Sequence, residues 1–254
     1  MMTFSRCPKL LIVLIEPNIN SMVLPTVILP GYLAGAIEYQ QLEQALLDLG
    51  FPAVTVPLRR QDWLVTLGGR PVTPILEQLD RTVKQIMKQF DTCQINLIGH
   101  SAGGWISRIY LGEKPYCGRV WHAKPLVKTL ITLGTPHRSL ERWTKRNLDF
   151  VNTTYPEAFY QEVRYVCLAG KAAYGEQSWQ LAKWFTYKSY ELTCGQGNCW
   201  GDGVTPIQSA HLSGAENLIL EGVMHSPKTA GRASGFHAWY GSPQPLKAWV
   251  SYLT

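Results

Sequence analysis

The sequence predicts an α/β fold in which a mostly parallel central sheet is flanked by helices. Short apolar runs alternate along the chain with stretches of helical spacing. Each run is apolar almost throughout, as strands covered on both faces are, whereas a sheet with one wet face would alternate. A length of 254 residues, 46% hydrophobic and 17% charged, suits one large domain with such a core. The same figures exclude disorder, collagen and coiled coil.

Thr26 to Leu29 is the first β-branched run, stopped by Pro30-Gly31. Ala36 to Leu49 then places Ile37, Leu42, Ala45, Leu46 and Leu49 at near-helical spacing, with Gly50 as the stop. Ala53 to Val56 reads as a second strand. A helix over Ile75 to Phe90 follows, striped by Leu76, Leu79, Val83, Ile86, Met87 and Phe90. Further strands are read at Gln94–Ile98, Leu126–Leu133, Val163–Leu168 and Asn217–Leu220, and a helix at Ala102–Leu111. Two stretches break the alternation and are read as cap or lid segments, 58–74 and 172–200. The second holds seven aromatics between Tyr174 and Trp200, which either cover an apolar pocket or pack on the sheet.

The domain is read as 22–254. Residues 1–21 form an extension: a flexible one, an extra strand, or the product of a start codon assigned too early. Its apolar run Leu10–Ile15 is too short to span a bilayer, and Glu16-Pro17-Asn18 follows where a secretory signal needs small residues. A cytoplasmic protein is expected, with peripheral membrane contact as an extension of that reading. The net charge of +6 is scattered, which points away from nucleic acid and toward weak attraction to anionic surfaces. Six cysteines do not make a disulfide scaffold. Cys7, Cys93, Cys117 and Cys167 lie far apart, three of them in or beside apolar stretches that suit buried thiols. Cys194 and Cys199 are the one close pair, joined or free. With no C-x-x-C pair, no metal is expected.

Gly99-His100-Ser101-Ala102-Gly103 matches G-x-S-x-G, a pattern that chance supplies in about one chain in ten of this composition. Its position sharpens it, because strand, motif and helix follow one another as a nucleophile elbow requires. Glycines relieve the crowding of the strained turn, and the helix N-terminus offers free N–H groups to a developing oxyanion. A serine hydroxyl needs a base, and the base needs a carboxylate to fix its tautomer.

In Gly201-Asp202-Gly203-Val204-Thr205-Pro206 the flanking glycines form a sharp turn that aims the Asp202 carboxylate inward, with Asp149 and Glu221 as weaker alternatives. His225, just past the last strand, is favoured as base over His237. His100 is expected to point away from the serine's face, His122 lies on the wrong side of the topology, and His137 is placed along the pocket. The oxyanion donors are taken as the N–H groups of Ala102 and of Tyr32, since Pro30 cannot donate and Gly31 permits close approach.

These residues, together with Leu133-Gly134-Thr135-Pro136-His137, resemble the α/β-hydrolases of the lipase and esterase type. The likeness extends to bacterial triacylglycerol lipases and to lipase-like hydrolases of bacteria and plastids, and it spans about residues 24–226. It implies a serine hydrolase with Ser101 as nucleophile, Asp202 as acid and His225 as base, oxyanion donors at Tyr32 and Ala102, and no cofactor. Pro30-Gly31 departs from the His-Gly that many lipases carry at the donor loop. The substrate class implied is an acyl ester or lipid. Two rival functions use the same residues: acyl transfer by the same triad, and lipid binding on a catalytically silent scaffold.

Overall fold

The computed structural model describes residues 23–227 and 238–254. The 1–21 extension, Cys7 and His237 lie outside the described residues. Six parallel strands form the central sheet in the order β2-β1-β3-β4-β5-β8. They are β1 (Thr26–Leu29), β2 (Ala53–Thr55), β3 (Ile95–His100), β4 (Val127–Leu133), β5 (Arg164–Lys171) and β8 (Glu216–Glu221). Each strand read from the sequence is present, within a few residues at its ends.

The sheet is apolar on both faces, and the period-two alternation sorts its side chains. Val27, Leu29, Leu97 and Leu130 join the core on one face, under α2 (Thr73–Gln89) and α3 (Ala102–Leu111). Ile28, Ile98, Ile131 and Val166 join the other, under α1 (Gln40–Asp48) and α7 (Pro243–Trp249). The run read as one helix from Ala36 opens as a 3-10 turn at Ala36–Tyr39, which turns Tyr39 into the core. All ten residues of α3 are buried, so the helix behind Ser101 is held by core packing along its whole length.

Four α-helices of the described residues were not read from the sequence: α7, the short α6 (Ile207–Ala210) and two that border the site. α4 (Arg142–Thr154) buries only Asn147, Leu148 and Val151, and α5 (Leu181–Cys194) buries only Tyr190. α5 spreads its apolar residues round the helix and shows no stripe, whereas α4 is amphipathic but its apolar side is only a few residues wide. The ribbon of β6 (Ala173–Tyr174) and β7 (Trp200–Gly201) closes the base of the α5 segment and delivers the chain to Asp202. The 58–74 stretch holds a 3-10 helix, Arg60–Thr66, whose Trp63 is fully buried and donates to the Ala34 carbonyl at 2.8 Å. Among the described residues no helix is long and apolar enough to cross a membrane.

Candidate active site

Ser101 sits between β3 and α3 with φ 51° and ψ −122°, a positive φ that costs a non-glycine residue about 1–3 kcal/mol. Its N–H donates to the Leu133 carbonyl at 2.9 Å, and the buried helix behind it holds the turn. A Cβ on Gly99 would lie 2.5 Å from the Gly104 Cα, and one on Gly103 would meet the Leu29 carbonyl oxygen. Strand and helix therefore approach within a distance only glycine allows.

Around this turn the structure brings together the three side chains singled out in the sequence. The Ser101 Oγ lies 3.0 Å from His225 Nε2, and His225 Nδ1 lies 2.7 Å from Asp202 Oδ2. Asp202 is 1% exposed, and its carboxylate is saturated. Oδ1 accepts the N–H groups of Val204 and Thr205, at 3.0 and 2.7 Å, while Oδ2 also accepts the Tyr240 hydroxyl at 2.7 Å. Burial alone would raise this carboxyl. His225, the Thr205 N–H and the Tyr240 hydroxyl outweigh burial and hold it below the usual carboxylate range. The His225 N–H donates to the Asp202 carbonyl at 2.9 Å, so base and carboxylate are also tied through backbone.

On the opposite side of Ser101, Gly31 approaches so closely that a Cβ there would lie 2.9 Å from the Ser101 Cβ. Among the described residues, the N–H groups of Tyr32 and Ala102 donate no hydrogen bond, as groups awaiting an acceptor would. Both residues line a cavity of about 480 Å³ together with Ser101, Trp105, Trp184 and Phe185. Both segments that break the alternation contribute to it, through Thr66 and Val72 and through α5, and α4 adds Trp143 and Asn147.

Several sequence readings are corrected. His137 does not line the cavity. It is fully buried, with Nε2 near the Thr132 hydroxyl at 3.2 Å, and burial pulls its pKa well below the usual value. Asp149 is an exposed partner of Lys145, and Glu221 pairs with Lys171, so neither reaches the site. Of the far-apart cysteines among the described residues, Cys167 is buried, whereas Cys93 and Cys117 are exposed. Cys194 and Cys199 are free thiols that share the Gln196 carbonyl, at 3.2 and 3.4 Å. The described residues contain no group of three or more His, Cys, Asp or Glu side chains able to hold a metal ion.

His100 is part of the site's frame. Its ring lies 4.8 Å from the His225 ring, and its Nε2 is 2.8 Å from the His225 carbonyl. Tyr39 and Tyr240 were not anticipated as neighbours of the site, and no local motif marks them.

Parts of the chain are similar to known proteins. The PGAP1-like alpha/beta domain family matches residues 61–164. A triacylglycerol lipase from Pseudarthrobacter phenanthrenivorans is 40% identical over 65 residues, which is 26% of this chain and 18% of the lipase. One from Burkholderia plantarii is likewise 40% identical over 65 residues, 16% of its length. The matched segment thus spans less than a fifth of either relative. Among solved structures, a protein described as a cell surface hydrolase from Lactobacillus plantarum aligns over 92% of both chains, with a TM-score of 0.46 and 13% identity.

Proposed function

We propose that the chain is an α/β-hydrolase of the lipase and esterase type that hydrolyses carboxylic esters bearing an apolar acyl group, a reading supported by the family match and the lipase relatives. The carrying observation is the unbroken run from Ser101 Oγ through His225 to Asp202, set in the wall of an aromatic-lined cavity. In this reading Ser101 Oγ attacks the acyl carbon while His225 Nε2 takes its proton. Asp202 holds the imidazole with Nδ1–H toward itself and supports the charge that forms. The oxyanion accepts the N–H groups of Tyr32 and Ala102, each such donor contributing about 3–4 kcal/mol. Collapse breaks the ester C–O bond, and the leaving alkoxide takes the proton from His225. Water then attacks the acyl-serine, giving its proton to His225. Release of the acid returns that proton to Ser101.

Water is favoured over another alcohol as the acceptor, because the aromatics over the cavity leave it wet: Trp184 is 44% exposed and Phe185 72%. The test is a fluorophosphonate probe with peptide mass spectrometry, followed by a p-nitrophenyl ester series from acetate to palmitate. An adduct on Ser101, absent from Ser101→Ala, with turnover of at least one ester is expected. A folded protein that is neither labelled nor active would return the chain to the silent-scaffold reading.

The reading extends to peripheral contact with an anionic lipid surface. Trp179 and Leu181 at the start of α5 are 93% and 82% exposed. Arg138, Arg142 and Arg146 are exposed and, unlike Lys145, carry no ion pair among the described residues. Exposed apolar side chains and arginines without ion pairs suit the headgroup region of a charged bilayer. Co-sedimentation with phosphatidylglycerol vesicles but not with phosphatidylcholine vesicles is expected, and equal recovery from both would remove the electrostatic part.

A further inference from the structure

His100 occupies the variable position before the nucleophile, yet its ring touches neither substrate cavity nor Ser101 Oγ among the contacts described. It is instead the middle of a buried hydrogen-bonded run that crosses the site from behind. The Gly31 N–H donates to the Tyr39 hydroxyl oxygen at 2.9 Å. That oxygen lies 2.6 Å from His100 Nδ1, and His100 Nε2 lies 2.8 Å from the His225 carbonyl oxygen. Tyr39 is 1% exposed and His100 4% exposed, so water does not compete for these bonds.

The chemistry of the two ends assigns every proton between them. A backbone carbonyl only accepts, so His100 Nε2 carries the ring proton and donates it to His225. Burial and the facing His225 ring pull the His100 pKa down to about 3, so the ring is neutral near pH 7. Nδ1 then holds a lone pair, and the Tyr39 hydroxyl donates to it while accepting from Gly31. The run therefore has one direction, Gly31 to Tyr39 to His100 to His225. One end is the residue before Tyr32, the other is the backbone of the base itself.

We propose that Tyr39 and His100 are positioning residues that couple the loop bearing the Tyr32 N–H to the loop bearing His225, so that the oxyanion donor and the base keep one fixed placement about Ser101. The inference rests on the ester-hydrolase reading. Neither residue touches substrate; both act through the backbone of residues that do. Gly31 reinforces the coupling, because a Cβ there would lie 2.9 Å from both His100 Nδ1 and Ser101 Cβ, which leaves the loop no freedom to settle elsewhere.

The test uses the whole protein with Tyr39→Phe and His100→Gln. Tyr39→Phe keeps the ring but leaves the Gly31 N–H and His100 Nδ1 unpartnered. His100→Gln retains a side-chain N–H toward the His225 carbonyl. Nitrogen NMR of isotope-labelled histidine in the wild type is expected to show His100 protonated at Nε2 alone, and the low-field proton of the His225–Asp202 bond is expected to shift in Tyr39→Phe. For a p-nitrophenyl ester, kcat is expected to fall about 10- to 100-fold in Tyr39→Phe with KM within twofold, since small misplacements about the reacting atoms carry penalties of that size. His100→Gln should lose less than Tyr39→Phe. An Nδ1-protonated His100, or unchanged kcat and His225 resonance in a Tyr39→Phe protein whose melting temperature alone drops, overturns the proposal. If the wild type neither labels at Ser101 nor turns over, the hydrolase reading fails, and the NMR arm still decides the relay.

Discussion

His100 gives the protein an acid sensitivity whose size follows from its burial. In the unfolded chain the imidazole has the ordinary pKa of 6.5, whereas in the folded protein it is pulled down to about 3, first by burial and then by the facing His225. A base whose folded pKa is lowered takes up its proton first in the unfolded state. Its contribution to stability is therefore complete above pH 6.5 and declines as pH falls from there toward 3. At pH 4.5, two units below the unfolded value, the loss is about 3 kcal/mol. That is a large part of a domain's typical stability of about 5–15 kcal/mol. Urea unfolding of the wild type and of His100→Gln at pH 7.5 and pH 4.5 measures it. The variant lacks the titrating ring but keeps the histidines and carboxylates common to both, so their contributions cancel in the difference. The wild type should lose about 3 kcal/mol more than the variant between the two pH values. Equal losses would show that the folded state already accommodates the protonated ring, and the neutral tautomer on which the relay depends would go with it.

Asp202→Asn should lower kcat about 10⁴-fold by holding His225 in the wrong tautomer, with the melting temperature recorded alongside; a loss below tenfold would take the carboxylate out of the mechanism. His225→Ala should abolish ester turnover while His237→Ala leaves it, and the reverse result reassigns the base. Gly99→Ala would drive a methyl to 2.5 Å from the Gly104 Cα, backbone against backbone, and should destabilise by about 3 kcal/mol in urea titration; a neutral outcome would mean that strand and helix can part at the elbow. Tyr240→Phe removes a donor to Asp202 and the acceptor of the Gly170 N–H, at 2.7 and 2.8 Å. It should cost about 1–3 kcal/mol of unfolding free energy, and an unchanged midpoint would mean that a water molecule replaces the hydroxyl.

The parts of this protein that were legible in its sequence are those written in local backbone and in periodic burial. The sheet could be read because its inner strands β1, β3, β4 and β5, covered on both faces, are apolar along most of their length, and the two apolar cores sort Val27 from Ile28 by simple alternation. The elbow could be read because a strained turn between strand and helix demands glycine at fixed offsets, and Gly99 and Gly103 stand there. Asp202 could be nominated because glycines flank it in a sharp turn, and His225 because it lies just past the last strand of the sheet, where ligand loops gather. By contrast α5 escaped notice because its apolar residues are spread round the helix, and α4 because only three of its side chains are buried.

What only the tertiary structure decided is which polar groups meet behind the triad. Tyr39 reaches His100 across 61 positions of sequence, His100 reaches the His225 carbonyl across 125, and Tyr240 reaches Asp202 across 38. Hydrophobic periodicity carries no information about such pairs, because a buried tyrosine or histidine reads as one more core residue until its hydroxyl or ring nitrogen is seen to have a partner. Burial makes those partners obligatory: an unpaired polar group there costs about 1–3 kcal/mol, so packing these elements together also selects the hydrogen bonds between them.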